Sequence, residues 1–192
     1  DITAELGLEG PEKLNGFTKW SIGVSFWDYN LDGRLDAMVG NFLAFDPAYV
    51  STQTPGMMPH PSEYKGQASM LYEQKADGSF QEVTNKNGLL YPDSKCMGLT
   101  VFDCDDDGDM DIFQANDHQF NFLFRNDGDT YKEVGIASGV AANRKDVNVY
   151  PNFFLFRKLP IASRFDSCSL PTNLRKRPLT RFKKNRPIVA PV

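Results

Sequence analysis

The chain has 192 residues, 41% of them apolar and 24% charged, with a formal net charge of −4. That composition is globular, one ordinary domain in size, and no apolar run reaches the roughly 18 residues of a membrane span. The charge is unevenly placed: residues 1–142 carry 9 Lys/Arg against 23 Asp/Glu, and residues 143–192 carry 12 against 2. The sequence therefore reads as an acidic body with a basic tail.

The opening segment, "DITAELGL", is the first of three related stretches. The others are "EVTNKNGLL" from Glu82 and "EVGIASGVA" from Glu133. Next comes "IGVSFWD", which alternates like a strand and runs into "FWDYNLDGRLDAMV" (Phe26–Val39). A long insertion follows, "FLAFDPAYVSTQTPGMMPHPSEYKGQ" (Phe42–Gln67). Then "SMLYEQKADGSFQEVT" (Ser69–Thr84) reads as two strands around an Asp-Gly turn, because Gly accepts positive φ without steric cost.

The same order then repeats. "MGLTVFD" leads into "VFDCDDDGDMDIFQ" (Val101–Gln114), and "NFLFRNDGDTYKEV" (Asn121–Val134) is a second Asp-Gly hairpin. The predicted fold is all-β: two four-stranded antiparallel units, over about 22–84 and 97–134, within a repeat region 1–142. Units of this make-up are blades of a β-propeller, here an incomplete one. After Ala142 the pattern stops. Residues 143–192 contain six Pro, no Gly and no acidic loop, and are predicted to be a disordered basic tail. "RFKKNRP" has the charge to hold an anionic surface, but the abrupt change of composition favours an extension without a role. No nucleic-acid partner is expected.

Like charges repel, so six aspartates between Val101 and Phe113 need a reason. A hard cation supplies one. Asp28, Asn30, Asp32, Gly33 and Asp36 match Asp103, Asp105, Asp107, Gly108 and Asp111. Positions 1, 3, 5 and 9 of each loop offer side-chain oxygens, and Gly at position 6 allows the bend. Position 7, Arg34 or Asp109, offers its backbone carbonyl and leaves its side chain free to vary. Positions 2 and 4 (Tyr29, Leu31, Cys104 and Asp106) are expected to face outward. Ca²⁺ fits best: magnesium keeps its waters, and zinc would want Cys or His at ligand spacing. An EF-hand is excluded by strand-like flanks and by Val39 or Gln114 at position 12. The second loop, with four inward carboxylates against three and an amide, is expected to bind more tightly. His60 and His118 read as lone surface residues. Three cysteines, Cys96, Cys104 and Cys168, make no disulfide framework.

These loops resemble the FG-GAP/VCBS repeats, the calcium-carrying blades of integrin α-type propellers. "DITAELGL", "MLYEQKADGSF" and "FLFRNDGDTY" are similar to segments of the ASPIC/UnbV and cartilage-acidic-protein group. The resemblance covers roughly residues 1–142. It implies a secreted, periplasmic or cell-surface protein, working in recognition or adhesion through a protein or glycan ligand. It also implies neighbouring blades beyond the two in this chain, which is then a fragment of a larger propeller. The insertion lies on the face opposite the acidic loops, and Tyr49, Met57, Met58, His60 and Tyr64 are its candidate ligand contacts. The chain is read as non-catalytic. The alternative is part of a propeller-bearing secreted lyase or hydrolase acting on polysaccharide. No Ser/His/Asp or Cys/His set supports that alternative, and fold alone does not assign chemistry.

Overall fold

The computed structural model describes residues 1–128 and 130–141. The described part is all-β. Ten strands run in order: β1 (Lys13–Leu14), β2 (Phe17–Thr18), β3 (Ser21–Trp27), β4 (Asp36–Asn41), β5 (Met70–Gln74), β6 (Phe80–Glu82), β7 (Cys96–Phe102), β8 (Asp111–Asn116), β9 (Phe122–Asn126) and β10 (Tyr131–Glu133). They form two four-stranded antiparallel meanders, β3-β4-β5-β6 and β7-β8-β9-β10, plus the β1-β2 hairpin. The predicted tail lies outside the described residues. Among the described residues, no helix is long and apolar enough to cross a membrane.

The two sheets match in register. Trp27 pairs with Asp36 as Phe102 pairs with Asp111, and the pairing slips between Ser21 and Gly23 as it does between Cys96 and Gly98. An irregularity at the same place in the first strand of both sheets is a repeated feature of the fold. Period-two alternation sorts the side chains by face. Met38 and Leu71 point one way and join Trp27, Val83, Leu89, Ile112, Phe124 and Tyr131 in one core. That core draws on both sheets, so it lies between them. Ala37, Met70 and Tyr72 point the other way, where Leu8 and Leu14 pack against them. Phe113, Ala115 and Leu123 form a third cluster with Cys104 on the far face of the second sheet. Leu71, Tyr72, Ile112 and Phe124 are at most 1% exposed, and burying one such side chain contributes about 1.5–3 kcal/mol.

The "GL" segments staple each sheet. Leu6 accepts a hydrogen bond from the Phe80 N–H on β6, and Asn87 accepts one from the Tyr131 N–H on β10. Gly7 and Gly88 both have φ +74°, and a Cβ would meet the Phe80 carbonyl at 2.6 Å or the Tyr131 carbonyl at 2.7 Å. Glycine is required there on both counts. The segment after β6 thus clasps the last strand of the following sheet. At the third copy, a Cβ on Gly139 would meet nothing within 4 Å among the described residues.

The insertion has more order than its composition suggested. Leu43 bridges Gly66, and Pro61–Glu63 forms a 3-10 turn boxed by His60 and Glu63. The Gln67 side chain is fully buried: its Nε2 donates to the carbonyls of Leu14, Phe17 and Thr18, and its Oε1 accepts from the Trp20 N–H. One carboxamide therefore ties the β1-β2 hairpin to the first sheet.

Candidate metal centre

Both acidic loops sit between the first two strands of a sheet, at the end away from the insertion. In each, the position-9 aspartate is fully buried and held by main-chain donors. Asp36 accepts from the N–H groups of Tyr29 (3.0 Å) and Gln74 (2.8 Å), and Asp111 accepts from those of Cys104 (2.6 Å) and Asn126 (2.8 Å). Each therefore locks its loop to the third strand as well as pointing into the loop. Position 4 takes positive φ in both, +58° at Leu31 and +60° at Asp106. Gly33 and Gly108 follow at +87° and +96°, which favours glycine at position 6.

The loops differ in how their oxygens are used. In the second, carboxylate oxygens of Asp103, Asp105 and Asp111 lie within 4.8 Å of one another. Asp103 Oδ2 accepts from the Gly108 N–H, but Oδ1 of Asp103 and Oδ1 of Asp105 are buried without a hydrogen-bond partner. Such orphaned anionic oxygens are costly, and a hard cation is the ligand that relieves them. Burial, then the charges of Asp107 and Asp111, push the Asp105 carboxyl up to about 6, with Arg125 pulling the other way. The Arg125 guanidinium does not neutralise it: its Nε is 4.0 Å from Asp105 but 2.7 Å from Asp127. Asp107 is exposed and accepts from the Asp109 N–H. Asp103, Asp105 and Asp111 could together hold a metal ion, and their all-oxygen donor set suits a hard cation.

The first loop is closed on itself. Asp28 accepts from the N–H groups of Asp32 and Gly33, Asn30 from that of Asp32, and Asp32 from that of Arg34. The Arg34 guanidinium pairs with Asp32 and donates to the Gln74 carbonyl at 2.9 Å. The position-7 side chain, expected to be free to vary, is thus a cation paired with a loop carboxylate. Asp28, Asn30, Asp32 and Asp36 surround the same turn, but no orphaned oxygen is buried among them.

Two further expectations need correction. Position 2 does not face outward. Tyr29 packs on the inter-sheet core and donates its hydroxyl to Glu73, and Cys104 is 3% exposed within the far-face cluster. Leu31 and Asp106, at position 4, do face solvent. His60 and His118 are not lone: their rings meet edge-to-face with centroids 4.3 Å apart, joining the insertion to the β8–β9 connection. Cys96 and Cys104 are both buried and form no disulfide with one another.

At the other end, the candidate contacts of the insertion are placed as follows. Met57 and Met58 are 71% and 79% exposed, and His60 is exposed. Tyr49 and Tyr64 touch one another, with ring centroids 5.5 Å apart. Sequence reasoning missed Trp20, Phe42 and Phe45, which continue this run of rings. Trp20 and Phe42 are the counterparts of Lys95 and Asp117 in the second unit, so the repeat pattern itself hid them. No family model matches the sequence, and no curated protein matches it.

Proposed function

We propose that the chain is a pair of calcium-stabilised β-propeller blades of the FG-GAP/VCBS type, acting as a non-catalytic recognition or adhesion module outside the cell. The observation that carries the reading is the pair of buried, partnerless oxygens, Asp103 Oδ1 and Asp105 Oδ1. Asp103, Asp105 and Asp111 would hold the ion, whose charge would offset theirs and whose binding to the folded chain alone would stabilise the β7–β8 loop. The chain's own residues do the positioning: Cys104 and Asn126 aim Asp111, and Gly108 aims Asp103.

The propeller reading is supported by the stacking of the sheets. Leu99 and Val101 of β7 pack on the inter-sheet core. Their counterparts on β3, Val24 and Phe26, are 50% and 56% exposed. A preceding blade would cover them, as repeat units need stacked neighbours to bury a core. Nucleophilic catalysis finds no support in the Cys96 thiol, which burial pushes up to about 11.

Calorimetric titration with calcium tests the reading. The expected result is tighter binding at the second loop, lost in Asp105→Asn, with the first loop strengthened by Asn30→Asp. Indifference of the folded chain to both calcium and chelator would refute it.

A further inference from the structure

Two histidines meet where the insertion touches the second sheet. The ring of His60, just ahead of the 3-10 turn at Pro61–Glu63, lies edge-on to the ring of His118 in the β8–β9 connection. Each ring is held from its own side. His60 Nδ1 accepts from the Ser62 N–H at 3.3 Å, which caps the turn, and lies 3.0 Å from the Ser62 hydroxyl. His118 Nε2 stands 3.7 Å from the Asp117 carboxylate. The β8–β9 connection is itself anchored: the Asp117 N–H donates to the Lys95 carbonyl and the Gln119 side chain to the Asp93 carbonyl. The base of the insertion is tied separately, by the Gln67 N–H to the carbonyls of Phe42 and Ser94. Beyond that base, every residue from 52 to 64 is exposed or half-buried. A segment with so little buried surface opens at low cost.

Imidazole is the side chain whose charge ordinarily changes between about pH 5 and 8. One proton on the pair is accommodated, since Asp117 sits beside His118 and the other ring stays neutral. A second proton sets two like charges in contact. Once His60 is charged, both its ring nitrogens are donors and the Ser62 N–H loses its acceptor. The other charged groups around the pair do not offset this. Glu63 already accepts from the Ser51 hydroxyl and the His60 N–H. The Asp117 carboxylate is shared with Lys95, which burial lowers while Asp93 and Asp117 pull the other way. His118 also holds φ +51°, a costly backbone state for a residue with a side chain, and opening the contact lets it relax.

We propose that His60 and His118 form a pH-sensitive latch between the insertion and the second sheet. It is closed above about pH 7, where the rings are not both charged, and released below about pH 6, where they are. The stabilisation it gives is therefore whole at neutral pH and is lost as pH falls. Release frees residues 52–64 and leaves both sheets intact.

Hydrogen exchange read by mass spectrometry tests the latch, on the full chain in excess calcium at about pH 7.5 and 5.5, with rates corrected for their intrinsic pH dependence. Exchange in peptides from 52–64 is expected to rise at least about fivefold at the lower pH, the worth of two unit charges at this separation in water. β8 and β9 should keep their protection. His60→Asn retains a capping acceptor, and His118→Asn suits positive φ. Each leaves one imidazole, so neither should show the rise. Asp105→Asn should show it in full, which separates the latch from the Asp105 carboxyl, itself raised to about 6. No rise in the wild type, an equal rise in either histidine variant, its loss in Asp105→Asn, or its spread to β8 and β9 would each overturn the proposal.

Discussion

Replacing Asp105 by Asn should have opposite effects with and without calcium. The Asp105 side chain is 11% exposed, and its carboxyl is raised from 3.8 to about 6. Its charge is therefore unwelcome in the metal-free fold. A shift of about two units corresponds to roughly 2–3 kcal/mol at neutral pH, because the unfolded chain ionises without that cost. Asn keeps the shape and removes the charge, so the chelated variant should be more stable by about 2 kcal/mol. For a chain of this size that is a rise of roughly 4–8 °C in Tm. With calcium the sign turns. A ligand at 100 times its Kd stabilises the fold by about 2.7 kcal/mol, and loss of one convergent carboxylate forfeits most of that gain. Differential scanning calorimetry in EDTA and in excess calcium reads both arms. A variant destabilised equally in the two conditions would show that Asp105 serves the loop alone and that no cation is held there.

The other predictions use different parts of the molecule. Gly88→Ala places a Cβ 2.7 Å from the Tyr131 carbonyl at φ +74°, whereas Gly78 at φ +87° has nothing within 4 Å. Gly88→Ala should cost about 2–3 kcal/mol and Gly78→Ala only about 1 kcal/mol in urea denaturation, as one adds a clash to strain and the other adds strain alone. Burial raises Cys96 to about 11, and burial followed by Glu82 raises Tyr72 to about 12. The unfolded chain loses these protons first, so their contribution is whole below pH 9 and is lost as pH climbs toward 12; alkaline titration by circular dichroism should show that fall. Iodoacetamide should leave Cys96 unmodified at pH 8 in the native protein and label it after unfolding. Arg34→Ala frees Asp32 and should tighten calcium at the first loop by up to about fivefold, the worth of an exposed ion pair, as read by titration in an Asp105→Asn background.

Much of this fold can be read directly from the chain. β3 to β10 follow from period-two alternation, from Asp-Gly turns and from the order in which the units recur. The acidic loops stand out because a row of aspartates has few physical justifications. Other features depended on distant partners. The β1-β2 hairpin turns at Asn15-Gly16, both at positive φ, a pair that signals a tight turn but lies in strands of only two residues each. Gln67 stabilises that hairpin from about 50 positions away, a contact that local pattern cannot reveal. The inward turn of Tyr29 and Cys104 is set by packing against neighbouring strands. The difference between the two loops was visible as carboxylate count, but the Arg34 cation depended on where its long side chain folded back. The ring run was concealed because its members are scattered between residues 20 and 64.

The clasp formed by Asn87 and Gly88 means that sequence modules and mechanical modules are out of step. A cut made in the connection between the sheets, after Gly88, would leave the second sheet without the piece that locks its outermost strand. Shuffled or excised versions of this architecture should survive only when the cut falls before Val83, so that each sheet travels with the short hook upstream of it. Duplication during evolution would have met the same requirement, so inherited boundaries are expected to lie within a sheet's trailing edge rather than in the open connection between sheets.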